Sequence, residues 1–263
     1  GVGGFLDCLH QLGIQSLQQH PDFYGDGLAL GNGEITLLEL VGAYTVLARQ
    51  GIYHPLKCLM AEAPRQAETR RIFSTEIASL IGNILSDPEA RRLEFDNGSL
   101  LRFPVQTAIK TGTSSDYRDA WAVGYNHGLT VGVWIGNLDH YATDGITGAN
   151  GPALVLRSVF AALNQQRDTE PLYLSPRLVK AEICQDTGLK ADGHCASLSE
   201  WFVPGTDPKD KTTPAKILKS VVLRHPSEGM QLAMDPRIVD DQEAFVFKLA
   251  NLPVPTTVDW YVD

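Results

Sequence analysis

Long apolar runs are missing from this sequence: no stretch of about 18 residues is apolar enough to cross a bilayer as a helix. The first residues lack the charged-then-apolar form of a secretion leader, so export cannot be read from them. Cysteine is scarce, with four among 263 residues, at positions 8, 58, 184 and 195, too few and too scattered for a disulfide-built scaffold. No two of them stand as Cys-x-x-Cys, and Cys184, His194 and Cys195 have no fourth ligand nearby, which argues against zinc. Basic residues are in deficit: 22 Lys and Arg against 31 Asp and Glu leave a net charge of -9, unsuited to a nucleic-acid or phosphate surface. Gly31 and Gly33 are followed neither by Lys-Ser/Thr nor by a third glycine, so they do not form a nucleotide loop. No cofactor-binding pattern is present.

What is there is the composition of a soluble globular protein, 43% hydrophobic and 20% charged, long enough for one sizeable core and a second module. Near the middle, apolar Val105, Ala108 and Ile109 run into Lys110, Thr111, Gly112 and Thr113, which predicts a strand ending in small polar residues. Alternation places Lys110 and Gly112 on one face and Thr111 and Thr113 on the other. A long cation beside a missing side chain makes a notch with a charge at its rim. An extended substrate would pair its backbone with such an edge while hydroxyls and ammonium hold a carboxylate. Asp119 to Tyr125 and Leu129 to Ile135 read as two further strands, with a hairpin turn at Asn126, His127 and Gly128.

Taken in order, the chain opens with a short helix carrying Phe5, Leu6, Leu9 and Leu12 and stopped by Gly13, and its abrupt start suggests a piece of something longer. His20, Pro21 and Asp22 mark a loop. Thr36 and Glu39 predict a capping box for a helix that ends at Gly51 and, being apolar on nearly all sides, is expected to be buried. Ser74 caps a second helix whose Ile77, Leu80, Ile81, Ile84 and Leu85 form one apolar face for packing. Residues 90–104 read as a loop with a turn at Asn97 and Gly98, Arg91 and Arg92 being solvated or rim charges. Asp139, His140 and Asp144 fit no ligand spacing and read as loop polarity, and Pro152 opens a helix to about Asn164. A linker rich in Lys, Asp, Thr and Pro, residues 206–215, separates a last segment from the rest. Short strands are expected at Ile217 to Leu223, Ala244 to Lys248 and Val258 to Val262.

Two ordered stretches, KTGTSSDYRDAWAVGY with TVGVWIGN after Lys110, and YGDGLALGNGEITLLEL from Tyr24, resemble the transpeptidase domain of bifunctional class A penicillin-binding proteins. Cys184 to Leu189 (C-x-x-T-G-L) and Glu200 to Gly205 (E-W-F-x-x-G) resemble the extension found in the penicillin-binding protein 1C branch of that family. The resemblance implies an α+β fold of the penicillin-binding protein/serine β-lactamase-like kind, an antiparallel sheet with helices packed on it. Residues 1–170 would be the C-terminal part of the transpeptidase domain, 171–215 an extension and linker, and 216–263 a partial small β-sandwich. Lys110 would hold the electrostatics of the site, Thr111, Thr113 and Ser114 the substrate carboxylate, the Thr113 N–H one oxyanion donor, and Gly112 would leave room for substrate. The implied partners are peptidoglycan stem peptides and β-lactams on the periplasmic face of the bacterial inner membrane, with a cell-envelope protein reached through the C-terminal region. A disulfide between Cys184 and Cys195 is expected, since an exported chain can oxidise the pair and Gly188 and Gly193 allow the turn.

The family's nucleophile is absent: no serine has Lys three residues on, and no Ser-x-Asn occurs. Both earlier motifs are therefore expected upstream of Gly1, and the chain alone is expected to be inactive. Two other readings stay open, a non-catalytic cell-envelope binding module and a β-lactamase-like serine hydrolase.

Overall fold

The computed structural model describes residues 1–57, 69–91, 101–165 and 170–208, together with the backbone of 222–225 and 248–250. The chain forms two compact units, Gly1–Pro208 and Lys209–Asp263.

The first unit opens with α1 (Val2–Gln11), which ends where Gly13 turns to φ 97°, a value that favours glycine. The expected loop at His20 contains instead a one-turn helix, α2 (Pro21–Tyr24), because Pro21 presets the first helical φ and the His20 ring accepts from the Asp22 N–H. A 3-10 turn over Gly25–Leu30 follows. Leu6, Ile14, Leu17, Tyr24 and Leu28 then close a small core with Ala43.

Ala43 belongs to α3 (Leu37–Ala48), which starts at the capping box read from the sequence: Thr36 Oγ1 accepts from the Glu39 N–H, and Glu39 accepts from the Thr36 N–H. Glu39 does more than cap. Its carboxylate also accepts from the backbone N–H groups of Gln15 and Ser16 and from the Ser16 hydroxyl, tying the loop after α1 to the start of α3. Burial pushes this carboxyl up, but the Ser16 hydroxyl, the backbone N–H groups of Thr36 and Gln15 and the Thr36 hydroxyl outweigh it and hold the pKa at about 2. A depressed folded pKa contributes stability that is fully present above the unfolded value near 4.5 and is lost as pH falls towards 2. Glu39→Gln should therefore lower stability by about 1–2 kcal/mol at neutral pH and flatten the acid limb between those values. Urea melts of both proteins at pH 7 and pH 3 check this, and parallel acid limbs would refute it.

After α3 come a two-residue ladder, β1 (Ile52–Tyr53) with β2 (Arg70–Arg71), and α4 (Thr75–Ser86), capped by Ser74 Oγ accepting from the Ile77 N–H. Two expectations about these helices are corrected. Helix α3 is not enclosed on all sides: Leu38 is 66% exposed, while Leu37 and Val41 reach the sheet at Gly132. On α4, Ile77 and Ile84 lie exposed, and the buried face is Glu76, Ala78, Ser79 and Gly82. Small residues win there because the helix approaches the sheet closely; a Cβ on Gly82 would lie 3.2 Å from the Tyr125 hydroxyl.

The sheet is an antiparallel meander in the order β3 (Ala108–Thr113), β4 (Asp119–Tyr125), β5 (Thr130–Gly136). Asn126 closes the β4–β5 turn, its Oδ1 accepting from the N–H groups of Gly128 and Leu129. Helix α5 (Pro152–Asn164) covers one face, where Leu156 and Phe160 pack over Gly124 and Ala122 beside Ile109. Helices α3 and α4 cover the other face. This mixed arrangement of helices on an antiparallel sheet is the α+β class.

Residues 170–208 add a hairpin, β6 (Val179–Cys184) with β7 (Ser197–Phe202). It is moored to α4: the Ser175 N–H donates to Ser79 Oγ at 3.1 Å, and Arg177 pairs with Glu76. Cys184 and Cys195 are joined as a disulfide, their Cα atoms 5.7 Å apart, closing the far end of the hairpin. Loop-closure entropy for a ring this short is about 3 kcal/mol. Reduction should therefore loosen the hairpin but leave the α3–sheet core intact, which amide exchange of 179–202 against 119–136 would check. Equal protection of the hairpin before and after reduction would refute it.

In the second unit, β8 (Val222–His225) pairs antiparallel with β9 (Lys248–Ala250). The remaining expected strand residues there, the turn at Asn97 and Gly98, Arg92, Cys58 and most of the linker lie outside the described residues.

Candidate functional site

Between α3 and the sheet face opposite α5 lies a cavity of about 620 Å³. Alternation decides which strand residues reach it. Register pairs Lys110 with Val123 and Gly112 with Trp121, and Trp121 with Trp134 of β5, so all five share the α3 face. Leu37, Leu40 and Tyr44 of α3 face them, and Leu30 to Ile35 from the segment before α3, Asp119 and His140 also line it. Lys110, Thr111, Gly112, Thr113 and Ser114, singled out in the sequence, are all on its wall.

Strand β3 is the outer strand of the meander. The Ser114 N–H donates to the Asp119 carbonyl at 2.8 Å, and hydrogen-bonding direction alternates along an antiparallel strand. The N–H groups of Thr111 and Thr113 therefore point away from β4, towards the open edge. Lys110 is exposed, and its ammonium donates to the Thr111 carbonyl at 2.7 Å, curled against its own strand. Gly112 has no neighbour closer than 3.7 Å to the place a Cβ would take, so the notch beside the lysine is open.

The surrounding loops brace this edge. Thr113 Oγ1 accepts from the Gly148 N–H at 3.1 Å, which leaves the hydroxyl proton free to donate. Ser114 Oγ accepts from the Asp119 N–H and donates to Asp119 Oδ2, while Asp119 Oδ1 accepts from the Trp134 indole at 2.8 Å. One carboxylate thus fixes both the end of β3 and the tryptophan pair, whose ring centroids are 6.2 Å apart. Beyond Ser114 the chain takes two left-handed residues in succession, Asp116 (φ 60°) and Tyr117 (φ 56°), and Thr143 donates through both its N–H and its hydroxyl to the Tyr117 carbonyl. Burial raises the pKa of Tyr44 on the cavity wall, and burial with the neighbouring Tyr44 raises that of Tyr125.

Sequence reasoning passed over several wall residues. In the sequence His140 reads as loop polarity, and nothing marks Glu34, Tyr44 or the tryptophans individually as wall residues. The hairpin turn carried a usable signal for two of them, since it sets the register that puts Trp121 opposite Trp134. Among the described residues no group of three or more His, Cys, Asp and Glu is arranged to hold a metal ion, and no helix is long and apolar enough to cross a membrane.

Comparison with known proteins bears on fold and family. The chain superposes on penicillin-binding protein 1A from Haemophilus influenzae with a TM-score of 0.62, over 80% of this chain and 37% of that one, at 19% identity, a likeness of fold. It is 32% identical over 186 residues to penicillin-binding protein 1C of Escherichia coli (strain K12), covering 69% of this chain and 23% of that protein. It is 27% identical over 213 residues to penicillin-binding protein 1A of Aquifex aeolicus (strain VF5), covering 77% of this chain and 28% of that one. The chain thus spans about a quarter of the length of these curated relatives. Residues 175–214 match the family model described as penicillin-binding protein 1A, C-terminal domain, and include the β6–β7 hairpin. Sequence relatives along two thirds of its length, a shared fold and a matching C-terminal segment agree: this chain belongs to the class A penicillin-binding proteins.

Proposed function

We propose that this chain supplies the Lys-Thr-Gly wall of a peptidoglycan D,D-transpeptidase, within the 1C branch of the family, acting on stem peptides at the periplasmic face of the inner membrane. The reading rests above all on one observation: Lys110 stands at the rim of a ligand-sized cavity on an outer strand whose Thr111 and Thr113 N–H groups face the open edge.

In this reaction a serine oxygen bonds to the carbonyl carbon of the penultimate D-Ala, the C–N bond breaks, and terminal D-Ala leaves as an amine carrying a proton. A second stem's amine then displaces the serine. Charge develops on the carbonyl oxygen in both steps, and the Thr113 N–H would stabilise it. Lys110 would attract the terminal carboxylate, with the free proton of the Thr113 hydroxyl as its second contact. The Trp121–Trp134 floor would carry the apolar body of the peptide. No Ser-x-x-Lys occurs in the 263 residues, so in this reading the serine would be supplied by another segment.

Penicillins react by the same first step. Covalent labelling by a fluorescent penicillin, with and without a preceding segment bearing Ser-x-x-Lys, tests the assignment.

A further inference from the structure

A second cavity, of about 380 Å³, lies where the end of α4 meets the approach to β3. Its wall includes Arg91, which follows α4, and Arg102, which precedes β3. The sequence reads Arg91 as a solvated or rim charge, but in the structure it is only partly exposed, and its Nη1 is shut off from solvent with no hydrogen-bond partner among the described residues. Its Nε donates to the Asp87 carbonyl at 3.1 Å, so the end of α4 holds the side chain by its inner nitrogen. Burial lowers the pKa of this guanidinium, with the Asp87 carboxylate pulling the other way. Neighbouring polar groups are matched: Gln106 Nε2 donates to Ser86 Oγ, Ser86 Oγ to the Asn83 carbonyl and Thr107 Oγ1 to the Val105 carbonyl. Arg102 stands exposed and meets Glu89 only at 3.7 Å, a loose surface pair. A cation partly withdrawn from water and incompletely paired attracts an anion more strongly than a solvated one does, because the local dielectric is lower.

We propose that this cavity binds a small phosphate ester, its phosphate held between Arg91 and Arg102 and its organic body lying against Leu101 and Phe103. The net charge of -9 argues against a phosphate surface spread over the molecule, but the balance on this wall is local and opposite. Two guanidinium groups face the single carboxylate of Asp87, whose Oδ1 already accepts from the Glu89 N–H. Two planar forks from separate segments suit a group with three terminal oxygens, whereas one fork satisfies a carboxylate. The volume is that of a small-molecule site rather than of a bare ion, and Leu101 and Phe103 supply its apolar part. None of this depends on the acyl-transfer reading of the first cavity.

The test titrates the 263-residue chain with glycerol 3-phosphate, inorganic phosphate, acetate and glycerol, reading heats by calorimetry and position from amide chemical shifts. Glycerol 3-phosphate is expected to bind saturably and tighter than inorganic phosphate, with acetate at least tenfold weaker, glycerol silent, and shifts at residues 86–87 and 105–107. Arg91→Gln should weaken the ester at least tenfold, as for a charged hydrogen bond lost, and Arg102→Gln about threefold, as for a rim charge. Should Arg91→Gln not fold, Arg91→Lys carries the test, since it keeps the charge without the fork and should still weaken binding at least threefold. Lys110→Ala, in the first cavity, should leave ester binding unchanged. No saturable binding of either phosphate below about 10 mM, binding indifferent to the Arg91 and Arg102 changes, or binding lost with Lys110→Ala overturns the site. Acetate bound as tightly as the ester overturns the phosphate class.

Discussion

Incubated with a fluorescent penicillin, the 263-residue chain is expected to take no covalent label, whereas the same chain preceded by a segment bearing Ser-x-x-Lys should label. Acylation needs a serine oxygen activated by a base, and no serine here has lysine three residues on. What the chain does hold is Lys110 at the rim, the Thr113 N–H turned outward, and the open notch at Gly112. In the extended chain, Lys110→Ala should therefore slow labelling by about 10–10²-fold, since a hydrogen bond to a charged group such as the carboxylate is worth about 1.5–3 kcal/mol. Its melting temperature should hardly move, because the lysine is exposed and bonds only to an adjacent carbonyl. Labelling of the short chain would refute the placement of the nucleophile. An unaffected Lys110→Ala variant would refute the role of the edge.

Gly148→Ala should damage both stability and labelling, for a reason lying entirely in the backbone. A Cβ at this position would stand 2.6 Å from the Trp121 carbonyl oxygen, 2.7 Å from that of Gly112 and 2.9 Å from the Gly112 nitrogen. None of these is the end of a flexible side chain. Either the loop before α5 lifts off, losing the Gly148 N–H donation to Thr113 Oγ1, or the β3–β4 ladder bends at the residues that shape the notch. Overpacking of this kind costs about 1–3 kcal/mol, a fall of roughly 2–12 °C in melting temperature for a unit of this size. Labelling of the extended chain should fall at least tenfold. Gly145→Ala is the control: Gly145 has φ 68° but nothing within 4 Å, so only the left-handed backbone penalty of about 1 kcal/mol applies. A Gly148→Ala protein as stable as the control would show that the loop does not press on β3.

Elements governed by neighbours in sequence were legible from the residues. The Thr36–Glu39 capping box, the Ser74 cap, Pro152 at the head of α5 and the Asn126–Gly128 turn are each set by contacts within four residues, so pattern and structure agree there. The alternation around Lys110 was legible for the same reason: a pleated strand has a period of two whatever covers it. The resemblance rests on such local, ordered motifs.

Burial and convergence were decided by partners distant in sequence. Helix α4 has a clean apolar stripe, yet it buries Glu76, Ala78, Ser79 and Gly82, because Tyr125 on β4 admits only small residues and Ser175 and Arg177 arrive to satisfy Ser79 and Glu76. Periodicity reports that a helix has two sides; it cannot report which side the sheet will choose. Glu34, Lys110 and His140 are separated by 76 and 30 residues, and nothing near any of them in sequence announces the others. By itself, then, the sequence determined the caps, the turns, the lysine-bearing strand and the lack of any Ser-x-x-Lys, all matters of local covalent order. Only the tertiary structure decided that α3 stands over the sheet at Gly132 and leaves a cavity that those three residues line, because that arrangement depends on how closely two surfaces far apart in sequence can pack.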